Sequence, residues 1–336
     1  MARIGVVGAG AWGTALASAV RRQGGETVLY AREPEVVEAI RKTGENTPFL
    51  PGVRLDPSIR LTNAFEDVAK ADTLLLVTPA QHVRKACENL ASHLKKGTPV
   101  VLCAKGIEQA SGSLMSEVVR ETLPQTPLAV LSGPTFADEV ARGLPTAATL
   151  ACEDETLGEH LQVLIGSPRF RLYLSDDIIG VQVGGAVKNV LAIACGIVEG
   201  RGLGSNARAA LITRGLAEIA RLGVVLGGQF RTFMGLSGLG DLTLTCSSRQ
   251  SRNLSLGIAL GEGKTLAEAT AGRKSVAEGV FTAHAVSELA SRLGLEIPIV
   301  MAVRDVLHRG ARIEEAIEGL LARPIGEELP EEARDV

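Results

Sequence analysis

Apolar residues in the first half of the chain come in short unbroken runs rather than in alternation. Residues 3–7, 26–30, 73–77, 99–103 and 128–131 read as strands, and residues 11–23 read as a helix stopped by Gly24-Gly25. Continuous apolar strands are covered on both faces, and the helical stretches between most of them imply a parallel sheet. Strand alternating with helix predicts a doubly wound α/β domain over residues 1–178. The texture then changes. Residues 177–200, 206–222, 253–260, 282–293 and 297–308 look helical, and no clear strand remains, so residues 179–326 are expected to form an all-α domain. Residues 327–336 are acidic, lack apolar periodicity and read as a frayed tail.

Composition narrows the function classes. A length of 336 residues suits about two domains. A net charge of −3 offers no general attraction to nucleic acid or anionic lipid, and 3% aromatic residues argue against a base-stacking platform. The five cysteines are scattered without a C-x-x-C pair, which suits a reducing compartment and small core residues. The sequence shows neither a signal peptide nor an apolar run of spanning length, so a soluble cytoplasmic protein with no membrane or nucleic-acid partner is expected.

The first candidate site is Gly8-Ala9-Gly10-Ala11-Trp12-Gly13, a G-x-G-x-x-G turn between a strand and a helix at the start of a βαβ unit. Gly8 permits the tight turn, Gly10 lets a pyrophosphate approach the backbone, and Gly13 lets helix and strand pack closely. The helix N-terminus then presents free N–H groups to phosphate. The next strand ends in Tyr30-Ala31-Arg32, without an acid at its tip. Arg32 suits a 2′-phosphate and favours NADPH, while the adjacent Glu33 keeps NADH open. Further candidates follow the later strands, where open α/β sheets bind ligands: Thr78-Pro79, Lys105-Gly106 and Ser132 to Phe136.

The helical half carries a second set. Lys188 is the single charge in a glycine-rich apolar segment, with Gly184 and Gly185 on the same helical face. A lysine there either snorkels to the surface or is buried with a lowered pKa, as a general acid for a carbonyl oxygen requires. Asp241 follows a glycine-rich loop, four residues before Thr245. It can orient Lys188 or accept from a substrate hydroxyl. Ser251-Arg252-Asn253 opens a helix with groups that suit a phosphate, although Ser251 also reads as a plain N-cap. Glu278 lies in a loop before another helix, as a cap or solvated acid or as a site residue.

These blocks, in this order, resemble bacterial NAD(P)-dependent glycerol-3-phosphate dehydrogenases from Ile4 to about Pro324. The other blocks that carry the likeness are Lys105-Gly106-Ile107-Glu108, Ser132-Gly133-Pro134-Thr135-Phe136-Ala137, Asn206-Ala207-Arg208 and Gly235-Leu236-Ser237-Gly238-Leu239-Gly240-Asp241. The resemblance implies a Rossmann-type domain followed by helices, usually as a homodimer. It implies reduction of dihydroxyacetone phosphate to sn-glycerol 3-phosphate for phospholipid synthesis, with NADPH or NADH and no metal. It assigns proton transfer to Lys188; Asp241 is read as its catalytic companion from its own place after the glycine-rich loop. Substrate contacts fall to Lys105, Gly133, Thr135, Asp241, Ser251, Arg252 and Asn253, with Thr245 added from its place beside Asp241. Nucleotide contacts fall to Trp12, Arg32, Lys105, Ala137, Arg252, Val276 and Glu278, alongside Gly8, Gly10, Ala11 and Gly13 of the turn. The chain departs from the usual family residues at Ala11, where serine is common, at Trp12, Thr135 and Gln182. Two rivals share part of this pattern: a β-hydroxyacid dehydrogenase or ketopantoate reductase, which needs a carboxylate site, and a non-catalytic NADP(H) sensor.

Overall fold

The sheet grows from β1 (Arg3–Val7), whose last four residues are buried. A computed structural model describes residues 2–271 and 277–325. Val276 and the acidic tail at 327–336 lie outside the described residues. By backbone packing the chain divides into two units, one of residues 1–104 and 115–178, the other of residues 105–114 and the chain from Ile179 onward.

In the first unit β1 leads into α1 (Ala11–Arg22) and returns as β2 (Glu26–Tyr30). Next come α2 (Pro34–Thr43), a hairpin of β3 (Glu45–Asn46) and β4 (Leu50–Arg54), β5 (Arg60–Thr62) and α3 (Phe65–Val68). Strand β6 (Thr73–Leu76), α4 (Val83–Ala91), β7 (Val100–Leu102), α5 (Met115–Thr122) and β8 (Leu128–Ser132) continue the alternation. Then α6 (Ala137–Ala141), β9 (Thr146–Cys152), α7 (Glu155–Ile165) and β10 (Phe170–Ser175) close the unit. The eight-stranded sheet runs β10-β9-β8-β7-β6-β1-β2-β5.

The sheet is not purely parallel as the apolar runs suggest: β9 pairs antiparallel to β8, and β10 runs parallel to β9. Three strands and the hairpin escape the apolar-run pattern for local reasons. β9 reads Thr-Ala-Ala-Thr-Leu-Ala-Cys, too poor in branched and aromatic residues to stand out. β10 alternates buried Phe170 and Leu172 with exposed Arg171 and Tyr173, the pattern of an edge strand. β5 has only three residues, and β4 contains Pro51 and Gly52.

The second unit is built on α8 (Ile178–Gly200), buried without a break from Gly180 to Ile197. Its other helices are α9 (Gly204–Val225), α10 (Phe230–Phe233), α11 (Asp241–Ser247), α12 (Arg252–Gly261), α13 (Leu266–Thr270), α14 (Glu278–Leu293), α15 (Pro298–His308) and α16 (Ile313–Leu321). A π-helical turn, Leu236–Gly240, precedes α11. Residues 105–114, expected with the sheet, belong here: Ile107 bridges Leu114, and both side chains join the helical core. By length and composition α8 is apolar enough to cross a membrane, against the expectation of no such run, but 94% of its most apolar window is buried inside the protein.

Two glycine pairs set how closely α8 and α12 approach. A Cβ at Gly196 or Gly200 would strike a backbone carbonyl of α12, and one at Gly257 or Gly261 would strike α8. The two backbones therefore touch directly, which fixes α12 from Leu254 to Gly261 against the C-terminal part of α8. Glu218 on α9 plays a different structural part. Ile297, which precedes α15, has no side-chain oxygen for a cap, so the buried Glu218 carboxylate accepts from Ile299 N–H at 2.8 Å and Val300 N–H at 3.2 Å. Burial pushes its pKa up to about 7, against the two backbone bonds that favour the charged form. A raised acid binds more protons folded than unfolded between its ordinary value and 7, so stability falls as pH rises through that window. Urea unfolding from pH 5 to pH 7.5 is expected to show a loss of up to about 3 kcal/mol from this group. Glu218→Gln removes that component of the slope, and an unchanged slope would show that Glu218 does not titrate there.

Candidate functional site

The glycine turn has the shape a dinucleotide requires. Gly8 has φ +118° and donates its N–H to the Tyr30 carbonyl at 3.1 Å. A Cβ at Gly13 would collide with the Gly8 carbonyl, so helix and turn meet only because no side chain is present. Gly10, by contrast, faces open space, with nothing within 4 Å of where a Cβ would sit. Gly10 caps α1 without a side-chain hydrogen bond, and the first turn carries no acid. The amides from Ala11 onward thus meet neither a capping oxygen nor a competing carboxylate, which suits a phosphate. Trp12 lies partly buried with its ring edge-on to Phe170, and its indole N–H is buried without a hydrogen-bond partner.

At the tip of β2, Arg32 is exposed and paired with Glu33, Nε to Oε1 at 2.9 Å and Nη2 to Oε1 at 2.5 Å. Tyr30 stacks on Phe65 with ring centroids 4.2 Å apart, and the Asn63 amide donates to the Ala31 carbonyl at 2.7 Å. Pro34, Val37, Glu38, Arg41 and Lys42 line with Asn63 a surface hollow of about 490 Å3. At the end of β8, Ser132 is buried and Gly133 takes φ +150° against Ala148. Thr135 donates its hydroxyl to the Gly133 carbonyl at 3.2 Å, and Ala137 opens α6.

The second set converges within the helical unit. Lys188, in the middle of α8, is only 6% exposed. Its ammonium donates to Asp241 Oδ1 and, at 2.8 Å, to Thr245 Oγ1. Asp241 is 1% exposed and opens α11 straight after the π-helical turn, a distortion that re-aims the chain and is frequent at functional sites. Its other oxygen, Oδ2, accepts from Lys105 at 2.7 Å. Two lysines therefore share one buried carboxylate and leave a net positive charge. Burial lowers the Lys188 pKa to about 8; Asp241 works against this shift and the Lys105 charge adds to it. Sequence spacing alone placed Lys105 at the sheet edge and left it unconnected to Asp241, 136 residues away.

The start of α12 uses two of the three residues expected at a phosphate for bonds within the helical unit. Ser251 is buried as the N-cap, its Oγ accepting from Leu254 N–H at 3.2 Å. Asn253 donates to Asn189 Oδ1 at 2.9 Å and accepts from Gly279 N–H at 3.0 Å, so it ties together α8, α12 and α14. Arg252 stands exposed at the first helical position. Asn189 was invisible as a site residue in the sequence, because it follows Lys188 inside an apolar run. Glu278 is the first residue of α14.

A bare glycine turn on a doubly wound sheet and a buried lysine held by a carboxylate define an NAD(P)-dependent dehydrogenase. The chain belongs to the NAD-dependent glycerol-3-phosphate dehydrogenase family: the family's N-terminal model matches residues 3–158 and its C-terminal model residues 177–318. A protein of Parvibaculum lavamentivorans named glycerol-3-phosphate dehydrogenase [NAD(P)+] is 57% identical over 326 residues, 97% of this chain and 98% of its own. One of the same name from Caulobacter vibrioides is 57% identical over 96% of this chain and 98% of its own. The crystal structure of glycerol-3-phosphate dehydrogenase from Coxiella burnetii superposes with a TM-score of 0.93 at 39% identity, covering 96% of this chain and 99% of that one. The chain is therefore an oxidoreductase of the NAD(P)-using kind.

Proposed function

We propose that this enzyme interconverts dihydroxyacetone phosphate and sn-glycerol 3-phosphate, prefers NADPH over NADH, and works in the cytoplasm as a homodimer supplying glycerophospholipid synthesis. The observation that carries the reading is Lys188, buried beside Asp241 and Thr245 with its pKa lowered to about 8. Gly8, Gly10, Gly13 and the start of α1 would hold the pyrophosphate, and Arg32 the 2′-phosphate. Ala11, Trp12, Ala137 and Glu278 would line the nucleotide, and Val276 is assigned there on resemblance alone. The bound nicotinamide supplies and recovers the hydride.

The protein's own work is proton transfer and charge stabilisation. Lys188 donates its proton to the carbonyl oxygen in reduction and takes it back in oxidation. A pKa near the operating pH suits both directions. The Lys105–Asp241–Lys188 arrangement leaves positive charge where an alkoxide develops. Arg252 and the first amides of α12 suit the substrate phosphate. Lys105, Gly133, Thr135 and Thr245 complete the substrate side, and Ser251 and Asn253 act there mainly by shaping the start of α12.

Initial rates with dihydroxyacetone phosphate, run with NADPH and NADH in parallel, test the reading. Turnover of a 2-keto acid but not of the triose phosphate would favour a carboxylate-reducing enzyme, and nucleotide binding without turnover a sensor. In the same assay Arg32→Ala is expected to raise KM for NADPH by about 10- to 100-fold, the value of a charge-assisted contact, and to leave NADH nearly unaffected. An equal effect on both cofactors would remove Arg32 from the 2′-phosphate site.

A further inference from the structure

We propose that Asn46 is a positioning residue for the dinucleotide: its amide fixes the Ala9 carbonyl and so aims the Gly10 N–H at the pyrophosphate. The proposal rests on the reading of Gly8 to Gly13 as the cofactor turn.

Asn46 is wholly buried, as is Thr14 on α1. Its Nδ2 donates to the Ala9 carbonyl at 2.8 Å and to Thr14 Oγ1 at 2.7 Å. Thr14 Oγ1 also lies 3.5 Å from the same carbonyl. Both amide hydrogens thus go to the glycine turn and the helix behind it, while Oδ1 is buried without a hydrogen-bond partner. Burying an amide with one end unmatched is costly, and here the donors alone hold the side chain in place.

The consequence follows from peptide geometry. In a trans peptide the carbonyl and the next N–H point in opposite directions. Drawing the Ala9 carbonyl towards Asn46 turns the Gly10 N–H away from it. Gly10 is the residue of the turn whose side faces open space. The chain delivers Asn46 to this spot by fixed steps. Gly44 ends α2 at φ +75° and donates to the Ile40 carbonyl at 2.8 Å. The Leu55 N–H closes on the Gly44 carbonyl at 2.8 Å, and Asn46 pairs with Leu50 in the β3–β4 hairpin. The small hairpin contributes nothing to the main sheet, but it carries one amide to the back of the turn.

The test compares binding of NADPH with binding of adenosine 2′-monophosphate, which has no pyrophosphate. Asn46→Ala leaves a cavity and can lose the fold, so Asn46→Asp and Thr14→Val carry the test beside it. Asn46→Asp keeps the shape but faces a carbonyl with a carboxylate, and NADPH affinity at pH 8 is expected to fall at least tenfold. Its protonated form regains an O–H donor, and burial raises the carboxyl pKa. Affinity relative to the parent protein therefore recovers towards pH 5.5. Thr14→Val removes only the oxygen that orients the amide, and a loss of about threefold is expected. All variants should bind adenosine 2′-monophosphate as the parent does. NADPH affinity within twofold of the parent in Asn46→Asp and Thr14→Val overturns the proposal, as does an equal loss of the nucleotide monophosphate. Gly10→Val separates this outcome from a failure of the cofactor-turn reading: if NADPH binding survives that change, the turn itself is not the cofactor site.

Discussion

Lys188→Ala is expected to lower turnover by about a thousandfold or more while NADPH affinity stays within about twofold. General acid catalysis is typically worth 10²–10⁴-fold, and this lysine also supplies part of the local positive charge. The glycine turn belongs to the other unit of the chain and keeps all its residues in this variant. The companion Lys188→Arg keeps a cation but holds its proton at every accessible pH, and it should be nearly as inactive. With Lys188 as the proton donor, reduction by the parent enzyme is expected to slow as pH rises through about 8, and oxidation of glycerol 3-phosphate to speed up through the same value. Stopped-flow turnover and fluorescence titration of NADPH check both halves. Near-normal turnover in Lys188→Ala would move the proton donor elsewhere.

Asp241→Asn should produce the second large effect, and one whose size depends on pH. The carboxylate raises the Lys188 pKa, whereas burial and Lys105 lower it. Without it the descending limb of the reduction profile moves below pH 8. The loss of activity, at least tenfold at pH 8, should shrink towards pH 6. Stability responds with the opposite sign. The variant leaves two ammonium groups without their shared partner, a change that costs about 3–5 kcal/mol for a buried pair. Lys188 relieves part of that cost by releasing its proton. Its folded pKa then lies further below the unfolded value, so stability rises with pH between the two. Urea unfolding should accordingly show a smaller deficit at pH 9 than at pH 6.5. A deficit in activity that does not change with pH would reduce Asp241 to a purely structural part.

Much of this was legible in the sequence because it is local. β1, α1 and β2 are marked by apolar runs and glycines, and the glycine turn lies between the first two. Lys188 stands out as the one charge between Gly180 and Gly196, and Asp241 as the acid that follows a glycine-rich loop. The parts that were not legible depend on contacts between distant segments. Lys105 follows a strand of the sheet, yet Ile107 and Leu114 pack into the helical core and bring its ammonium to Asp241. Asn46 acts on a backbone carbonyl 37 residues earlier, a partner no side-chain pattern records. The antiparallel turn of the sheet at β9 was masked by alanine-rich composition. Ser251 was readable in both ways; its Oγ caps α12, and its O–H remains able to donate.

The glycine contact between α8 and α12 has a consequence for movement. Where two backbones lie against each other, neither helix can slide or roll without driving a side chain into a main chain. The step between acceptable registers is about one helical turn, not a small adjustment. The C-terminal part of α8 and the length of α12 are thus held as one stiff body. The substrate contacts proposed on these two helices then keep a set spacing, like marks on a ruler.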